Sequence, residues 1–297
     1  SHLRLLRDQA AELILLIVQP ETIENKLTSC NIDELINQGL VDRAKILHLQ
    51  SSKHGRGYGV IQFIKDPDAF ANPILTLQNI AAMRQILKEI RPDLIWAEHF
   101  SPAILSRRAT IDIPVIYRHH DWIWKITQLR ENRKSGFVSL IKNINLKRTE
   151  NRLVRDSDGC VSGSYSDINL MKRIGAKHLG YFPAAYEPAP INDVISTDIL
   201  PPPRIVHLGG MNTTANRIGM ERFMQIVWPE LVLSLGYQPE LWIIGDLKLA
   251  SPILKEKLHQ ANAICTGYVA DLASVMRPYD IHIIPWEHNT GTRTRLP

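Results

Sequence analysis

The sequence predicts an α/β protein built from two Rossmann-like domains in tandem, and three observations carry that reading. Short, nearly all-apolar segments alternate with helix-length periodic ones along the chain, which is how parallel strands covered on both faces are written. The run Arg204–Asn212 places an apolar, β-branched segment ahead of Gly209-Gly210 and a polar loop, with a helical pattern opening near Asn216. Six prolines between Pro183 and Pro203 interrupt the alternation, so the pattern runs once before them and once after. The expected division is a first domain over 1–185, a Pro-rich linker over 186–203 and a second domain over 204–297.

Taken in order, Leu3, Leu6 and Ala10 have helical spacing, and Leu13 to Val18 reads as a buried strand. Ile46 to Leu49 is a second strand, and the polar, Gly-containing stretch Ser51 to Ala71 reads as a loop. Ile74 to Ile90 is periodic until Arg91-Pro92 stops it. Strands follow at Leu94–Ala97 and Pro114–Tyr117, ending in Glu98-His99 and Arg118-His119-His120-Asp121. A long helix over Phe137–Arg155 leads to the strand Gly159–Ser162. After the prolines come strands at Ile205–Leu208, Leu241–Ile244, Ile264–Thr266 and Ile281–Ile284. The helices between them are read near Asn216–Leu235, Pro252–Gln260 and Ala270–Met276. In open parallel sheets ligands bind beyond the carboxyl ends of the strands.

The 44% hydrophobic and 22% charged fractions over 297 residues are those of an ordinary globular protein. Its longest purely apolar run, Leu13–Val18, is far too short to span a membrane. Cys30, Cys160 and Cys265 have no metal-ligand spacing and read as buried, reduced thiols, which places the protein in the cytoplasm. Charge is uneven. Nine Lys and Arg against Glu131 and Glu150 give Lys125–Arg155 a charge of +7, more than the +5 of the whole chain. That segment is either a solvated helical face or a patch for an anionic surface such as lipid headgroups. It has no interleaved aromatics, so nucleic acid is not an expected partner. Ser1-His2 resembles an expression scar, and the chain stops at Arg295-Leu296-Pro297 just after a site-like loop, so residues are expected to be missing at both ends.

Several motifs together resemble glycosyltransferase family 4. Gly209-Gly210-Met211-Asn212, Asn216–Gly219, Phe223 and Val227-Trp228-Pro229 are similar to the opening of that family's donor domain. Leu241–Gly245 resembles its next strand, Thr266-Gly267-Tyr268-Val269 with Asp271-Leu272 its "TGxVxDL" segment, and Asp280–Pro285 with Gly291-Thr292-Arg293 its last conserved run. The match covers Arg204 to Arg293 in order and spacing, and the N-terminal half resembles the family in outline. The resemblance implies a GT-B fold, two Rossmann-like domains with parallel sheets facing across a cleft. It also implies retaining transfer of a sugar from a nucleotide-sugar donor, without a metal or other cofactor. Two departures stand out. Met211 and Ile218 occupy the places of the family's basic diphosphate residues, leaving Arg217 as the nearest cation. Of the family's paired donor-site glutamates, Thr290 stands at the first place and the second falls past Pro297.

Site residues follow residue by residue from that resemblance. Gly209, Gly210 and Asn212 admit the donor diphosphate against backbone N–H groups at a helix start. Gly267 and Tyr268 receive the nucleobase. Glu287, Thr290, Gly291, Thr292 and Arg293 contact donor phosphate and sugar, with Arg217 and Arg293 supplying positive charge. His120 and Asp121 match an "HD"-like pair near the transferred sugar or its acceptor, and alternation along a strand means that one of His119 and His120 faces the site. Asp66-Pro67-Asp68 and Asp156-Ser157-Asp158 fit the short "DxD" pattern but read as turn or capping chemistry. The expected acceptor is a polysaccharide or a lipid-linked saccharide, reached by peripheral binding at the inner membrane face. Two other functions fit the same plan: a non-catalytic nucleotide- or partner-binding module, and a nucleotide-sugar epimerase using Asp121, Glu98 and Glu287.

Overall fold

A computed structural model of the chain describes residues 2–20, 26–50, 66–131, 137–183, 203–277 and 279–286. They fall into two compact units, one carrying the elements up to Tyr181 and the other those from Ile205 onward. Each is a parallel-sheet α/β unit of Rossmann type, the class expected of a GT-B chain. Apart from Pro203, the linker expected over 186–203 lies outside the described residues.

The first unit opens with α1 (His2–Arg7), β1 (Ile14–Pro20), α2 (Lys26–Asn37) and β2 (Arg43–Leu49). β1 and β2 pair in parallel from Ile14↔Arg43 to Pro20↔Leu49. A second parallel sheet is formed, in spatial order, by β3 (Ile95–Glu98), β4 (Val115–His119), β5 (Gly159–Ser162) and β6 (Leu179–Tyr181). Around it lie α3 (Pro67–Ala71), α4 (Leu77–Ile90), α5 (Phe100–Ala109), α6 (Ile123–Glu131), α7 (Phe137–Asp156) and α8 (Tyr165–Ile174). One apolar core joins both sheets: Leu47 and Leu49 of β2 share it with Met83, Leu105, Val115, Tyr117, Trp122 and Val154.

The end of the expected loop over Ser51–Ala71 is a helix instead. Asp66 caps α3 by accepting the Ala69 N–H at 3.1 Å, and Pro67 sits in its first turn, where a missing N–H costs nothing. Capping was therefore the correct reading of Asp66-Pro67-Asp68. Asp68 is buried and takes Thr149 Oγ1 at 2.7 Å and Arg152 Nη1 at 3.1 Å, which pins α3 to α7. Asp158 likewise accepts the Val115 N–H at 2.9 Å at the head of β4. Of the thiols, Cys160 is buried but Cys265 is exposed, correcting the expectation for the latter.

In the second unit β7 (Ile205–Leu208), β8 (Leu241–Ile244), β9 (Ile264–Gly267) and β10 (Ile281–His282) form a parallel sheet ordered β10-β7-β8-β9. The expected helix near Asn216–Leu235 is α9 (Thr214–Arg222) and α10 (Trp228–Leu235), joined by a π-helical turn at Phe223–Val227. Pro229 has no N–H, and its ring clashes with the carbonyl four residues back in a regular helix; the widened turn absorbs that misfit. α11 (Pro252–Gln260) is capped by Ser251. The helix expected over Ala270–Met276 shrinks to a 3₁₀ turn at Leu272–Ser274, with no buried residue to anchor anything longer.

A buried ion pair sets the edge of this sheet. Arg204 Nε donates to Asp280 Oδ1 at 2.7 Å and Nη2 to Oδ2 at 2.5 Å, with side chains only 2% and 1% exposed. The guanidinium also lies 4.2 Å from the Trp242 ring centroid and donates to the Val275 carbonyl at 2.8 Å. The pair holds β10 against β7, where the Ile281 N–H donates to the Arg204 carbonyl at 2.8 Å. Removing one partner leaves the other charge buried and uncompensated, so Asp280→Asn is expected to destabilise the unit by about 3–5 kcal/mol. Chemical denaturation followed by tryptophan fluorescence reads this. The double replacement Arg204→Met with Asp280→Leu should recover much of the loss; an unchanged midpoint in the single variant would show that the pair is not what holds the edge.

Candidate functional site

Parallel pairing brings the carboxyl ends of β3 and β4 side by side, with Glu98 opposite Arg118. His119 turns into the core, 1% exposed, between the rings of Tyr117 and Trp122. His120 emerges at the carboxyl end of β4 with 29% of its side chain exposed, so the two adjacent histidines point opposite ways, as strand alternation predicts. There Glu98 is the hub. Its Oε2 accepts His120 Nε2 at 2.6 Å and Arg118 Nη1 at 3.1 Å, while Oε1 accepts the Trp96 indole N–H at 2.8 Å. Burial works to raise its pKa, but the His120 and Trp96 hydrogen bonds and the Arg118 charge outweigh that and hold it at about 2. His99 stacks on His120 with centroids 3.9 Å apart, and its pKa is lowered by burial and by His120. Its backbone adopts φ +69°, ψ 166°, a conformation costing a non-glycine residue about 1–3 kcal/mol. The bond from its N–H to the Arg118 carbonyl at 3.1 Å helps to hold it there.

Beneath this edge lies a buried polar layer. Glu150, fully buried on α7, accepts the N–H groups of Ile123 at 3.3 Å and Trp124 at 3.4 Å, the first turn of α6. Burial pushes its pKa up to about 8. Asp167 Oδ1 takes the Trp122 indole N–H at 2.9 Å, and its Oδ2 lies 3.7 Å from His119 Nδ1. Burial also raises Asp121 and Asp167, and keeps His119 uncharged with a pKa of about 3. The turn carrying His120 and Asp121 is thus clamped from below, at Trp122 by Asp167 and at the start of α6 by Glu150. In the sequence Glu150 registered only as an acid within a basic segment, and nothing in its neighbourhood marks it as a cap for a helix nearly thirty residues earlier.

In the second unit backbones meet backbones. Gly245, at φ +144°, ends β8 so close to the β7 loop that a Cβ there would lie 2.6 Å from Gly209 C and Gly210 N. It also bridges to Gly267, itself at φ +71°, so the loops after β7, β8 and β9 converge on one glycine. The N–H groups of Gly209 and Met211 are taken by the carbonyls of Ile244 at 2.8 Å and Asp246 at 2.7 Å. Thr213 caps α9, and Asn216 Nδ2 donates to the Gly210 carbonyl at 2.6 Å. Arg217 folds back on the loop, with Nη1 2.8 Å from the Met211 carbonyl and 3.2 Å from that of Asn212. Asn212 and Tyr268 are exposed, Tyr268 at 85%. A Cβ on Gly219 would fall 2.0 Å from the Pro285 carbonyl oxygen, so only glycine lets α9 lie against the end of the last strand. Glu287, Thr290, Gly291, Thr292 and Arg293 lie outside the described residues. Among the described residues no group of three or more His, Cys, Asp and Glu has the geometry to hold a metal ion.

Comparison with known proteins places the first unit in context. Residues 46–179 match the family model described as Glycosyltransferase Family 4, so the resemblance to that family, suggested by motifs of the second unit, is found on the first. The matched span contains every residue of the Glu98–His120 cluster except Phe182, whose ring lies under the Arg118 guanidinium at 5.2 Å. Among solved structures the chain is similar to a sucrose-phosphate synthase from Thermosynechococcus elongatus, with 10% identity, 87% of this chain and 71% of that one covered, and a TM-score of 0.48. It is similar too to a lipopolysaccharide outer core galactosyltransferase in its apo form (11% identity, 91% and 72% covered, TM-score 0.47). A third is a UDP-GlcNAc 2-epimerase from Methanocaldococcus jannaschii (13% identity, 89% and 76% covered, TM-score 0.39). No curated protein matches the chain.

The buried layer makes a pH prediction. Glu150 has a folded pKa above its ordinary value of 4.5, so its stabilising contribution is complete below that value and is lost as pH rises through about 8. Glu150→Gln keeps the cap and stays neutral throughout. Thermal melts should show the wild type losing Tm relative to the variant between about pH 5 and 8; parallel pH profiles would mean that Glu150 titrates as an ordinary carboxyl.

Proposed function

We propose that this chain is a glycosyltransferase that moves a sugar from a nucleotide-sugar donor to a saccharide or lipid-linked acceptor, retaining the anomeric configuration and using no metal. The observation that carries the reading is the family match over 46–179, which takes in Glu98, Arg118, His120 and Asp121. On the second unit the glycine-packed loops suit a nucleoside diphosphate. With the Gly209 and Met211 N–H groups engaged, backbone contact to phosphate falls to Gly210 and to the first turn of α9. Arg217, the dipole of α9 and Arg293 offset the charge that grows on the departing diphosphate, which is electrostatic catalysis. Tyr268 offers an exposed ring for the base, and His120 and Asp121 address the transferred sugar or the acceptor. A second reading, nucleotide binding without turnover, is favoured by Arg217, two of whose contacts already go to loop carbonyls, and by Met211, Ile218 and Thr290 at the places of the family's charged residues. The epimerase reading is weakened by Glu98: a carboxyl held at about 2 by three donors is a poor proton carrier near neutrality.

The acceptor side includes a membrane. On α7, residues 140, 144, 147, 148 and 155 share one side by helical spacing. Leu140 is 58% and Ile144 44% exposed there, followed by exposed Lys147, Arg148 and Arg155. The apolar stripe faces outward rather than toward the sheet, and with the charge it fits an anionic bilayer on the cytoplasmic side. No described helix is long and apolar enough to cross a membrane.

Two tests follow. Incubated with a panel of nucleotide-sugars and lipid-linked saccharides, the protein should transfer or hydrolyse one of them, and His120→Ala should lower turnover about 100-fold or more with little change in Tm. Nucleotide binding with no turnover of any donor would favour the second reading. Separately, sedimentation with vesicles should show weak, salt-sensitive binding to anionic lipid only, abolished by reversing Lys147, Arg148 and Arg155 to Glu. Binding indifferent to salt and to that triple change would refute the electrostatic account.

A further inference from the structure

We propose that Glu98 fixes His120 as the Nε2–H tautomer, so that Nδ1 presents a lone pair to the ligand and takes a hydrogen bond from a hydroxyl, not from a phosphate. Three donors meet the Glu98 carboxylate. The Trp96 indole N–H reaches Oε1 at 2.8 Å, while Arg118 Nη1 and His120 Nε2 both reach Oε2, at 3.1 and 2.6 Å. With a guanidinium and an indole fixed on it, the carboxyl is ionised, and an ionised carboxylate can only accept. Two lone pairs do not sit 2.6 Å apart, so Nε2 carries a proton. Arg118 Nη1 lies 3.2 Å from the same ring nitrogen, but guanidinium only donates. That approach is the by-product of two donors converging on one oxygen.

The rest of the ring is fixed by its neighbours. His99 stacks on it at 3.9 Å with planes 26° apart, which sets the plane, while the Glu98 bond sets the rotation within it. Among the described residues Nδ1 has no hydrogen-bond partner, and the side chain is 29% exposed, so this nitrogen is open to solvent. In a neutral ring whose Nε2 holds the proton, Nδ1 is an acceptor. A phosphate oxygen has no proton to offer it at neutral pH and meets a lone pair instead. A sugar hydroxyl fits. Glu98 is then a positioning residue that acts on the ligand through His120, much as a carboxylate orients the histidine of a hydrolase triad. Identifying the hydroxyl as one on the transferred sugar or the acceptor rests on the transfer reading above; the tautomer does not.

The test uses the full chain labelled with 15N and long-range 1H–15N correlation of the histidine rings near pH 8, where an ordinary imidazole is uncharged. The His120 ring, identified by its disappearance in His120→Asn, should show a protonated Nε2 and a lone-pair Nδ1. Glu98→Ala should collapse it to the averaged shifts of a free tautomer mixture, and Glu98→Gln, which keeps an acceptor carbonyl, should restore much of the pattern. A wild-type ring protonated at Nδ1, or one indifferent to Glu98→Ala, overturns the proposal, and the wild-type spectrum alone decides the first of these. The ligand half is read by calorimetry and kinetics. Glu98→Ala should lower kcat/KM for the nucleotide-sugar at least tenfold while UDP and GDP affinities stay within about twofold. Equal losses in both would mean that His120 takes a phosphate after all. If the wild type turns over no donor, the transfer reading fails and the tautomer still stands or falls on its spectrum.

Discussion

Among the described residues, the charges that this chain takes out of water tie one segment to another. Arg204 and Asp280 are both almost fully buried and face each other through two hydrogen bonds, which brings the last described strand to the edge of its sheet. Asp68 meets Thr149 and Arg152 to seat a five-residue helix. Buried Arg118 is met by part-exposed Glu98, which also gathers Trp96 and His120 at the ends of two neighbouring strands. An ion so placed tolerates only the arrangement that satisfies it, because an unpaired buried charge is worth several kcal/mol against the fold.

The two units arrange their strand ends by different means. In the first, side chains form the edge, supported by a layer in which Glu150, Asp167 and Trp122 clamp the turn bearing His120 and Asp121. In the second, side chains are withdrawn. Gly209, Gly210, Gly245 and Gly267 let three loops approach until main chain touches main chain, and Gly219 does the same for a helix and the strand end at Pro285. With the Gly209 and Met211 N–H groups paired within the loops, Gly210 and the first turn of α9 are what the proposed reading leaves for a diphosphate, whereas imidazole and carboxyl suit hydroxyl groups. The proposed division of labour between nucleotide and sugar follows from that contrast.

The strands were legible because a buried parallel strand is a short apolar run bounded by polar turns, and Gly159–Ser162, Ile205–Leu208 and Leu241–Ile244 have the bounds their sequence predicts. Two short helices were not. Phe100–Ala109 has a weak apolar stripe and opens directly from a strained His99, while Tyr165–Ile174 is short although amphipathic, bounded by its Ser164 cap and Gly175 terminator. Of the site, His120 and Asp121 stood out as a dense polar cluster after a strand, and the glycines of the β7 loop as a helix-entry turn. Helical spacing puts Leu140 and Ile144 on one face, but the direction of that face was not legible, since periodicity fixes which residues share a face and not what that face meets.

By itself, the sequence determined the alternation of strands and helices and the residues standing where strands end. These are local matters, set by periodicity and β-branching. Only the tertiary structure decided who meets whom. That Glu98 rather than Asp121 holds His120, that Glu150 caps a helix far back in the chain, and that Gly245 is the wedge on which three loops rest all depend on strand order. Strand order is settled by long-range burial and by the pairing of desolvated charges, interactions whose partners are separated in sequence by twenty to eighty positions and leave no mark in the residues between them.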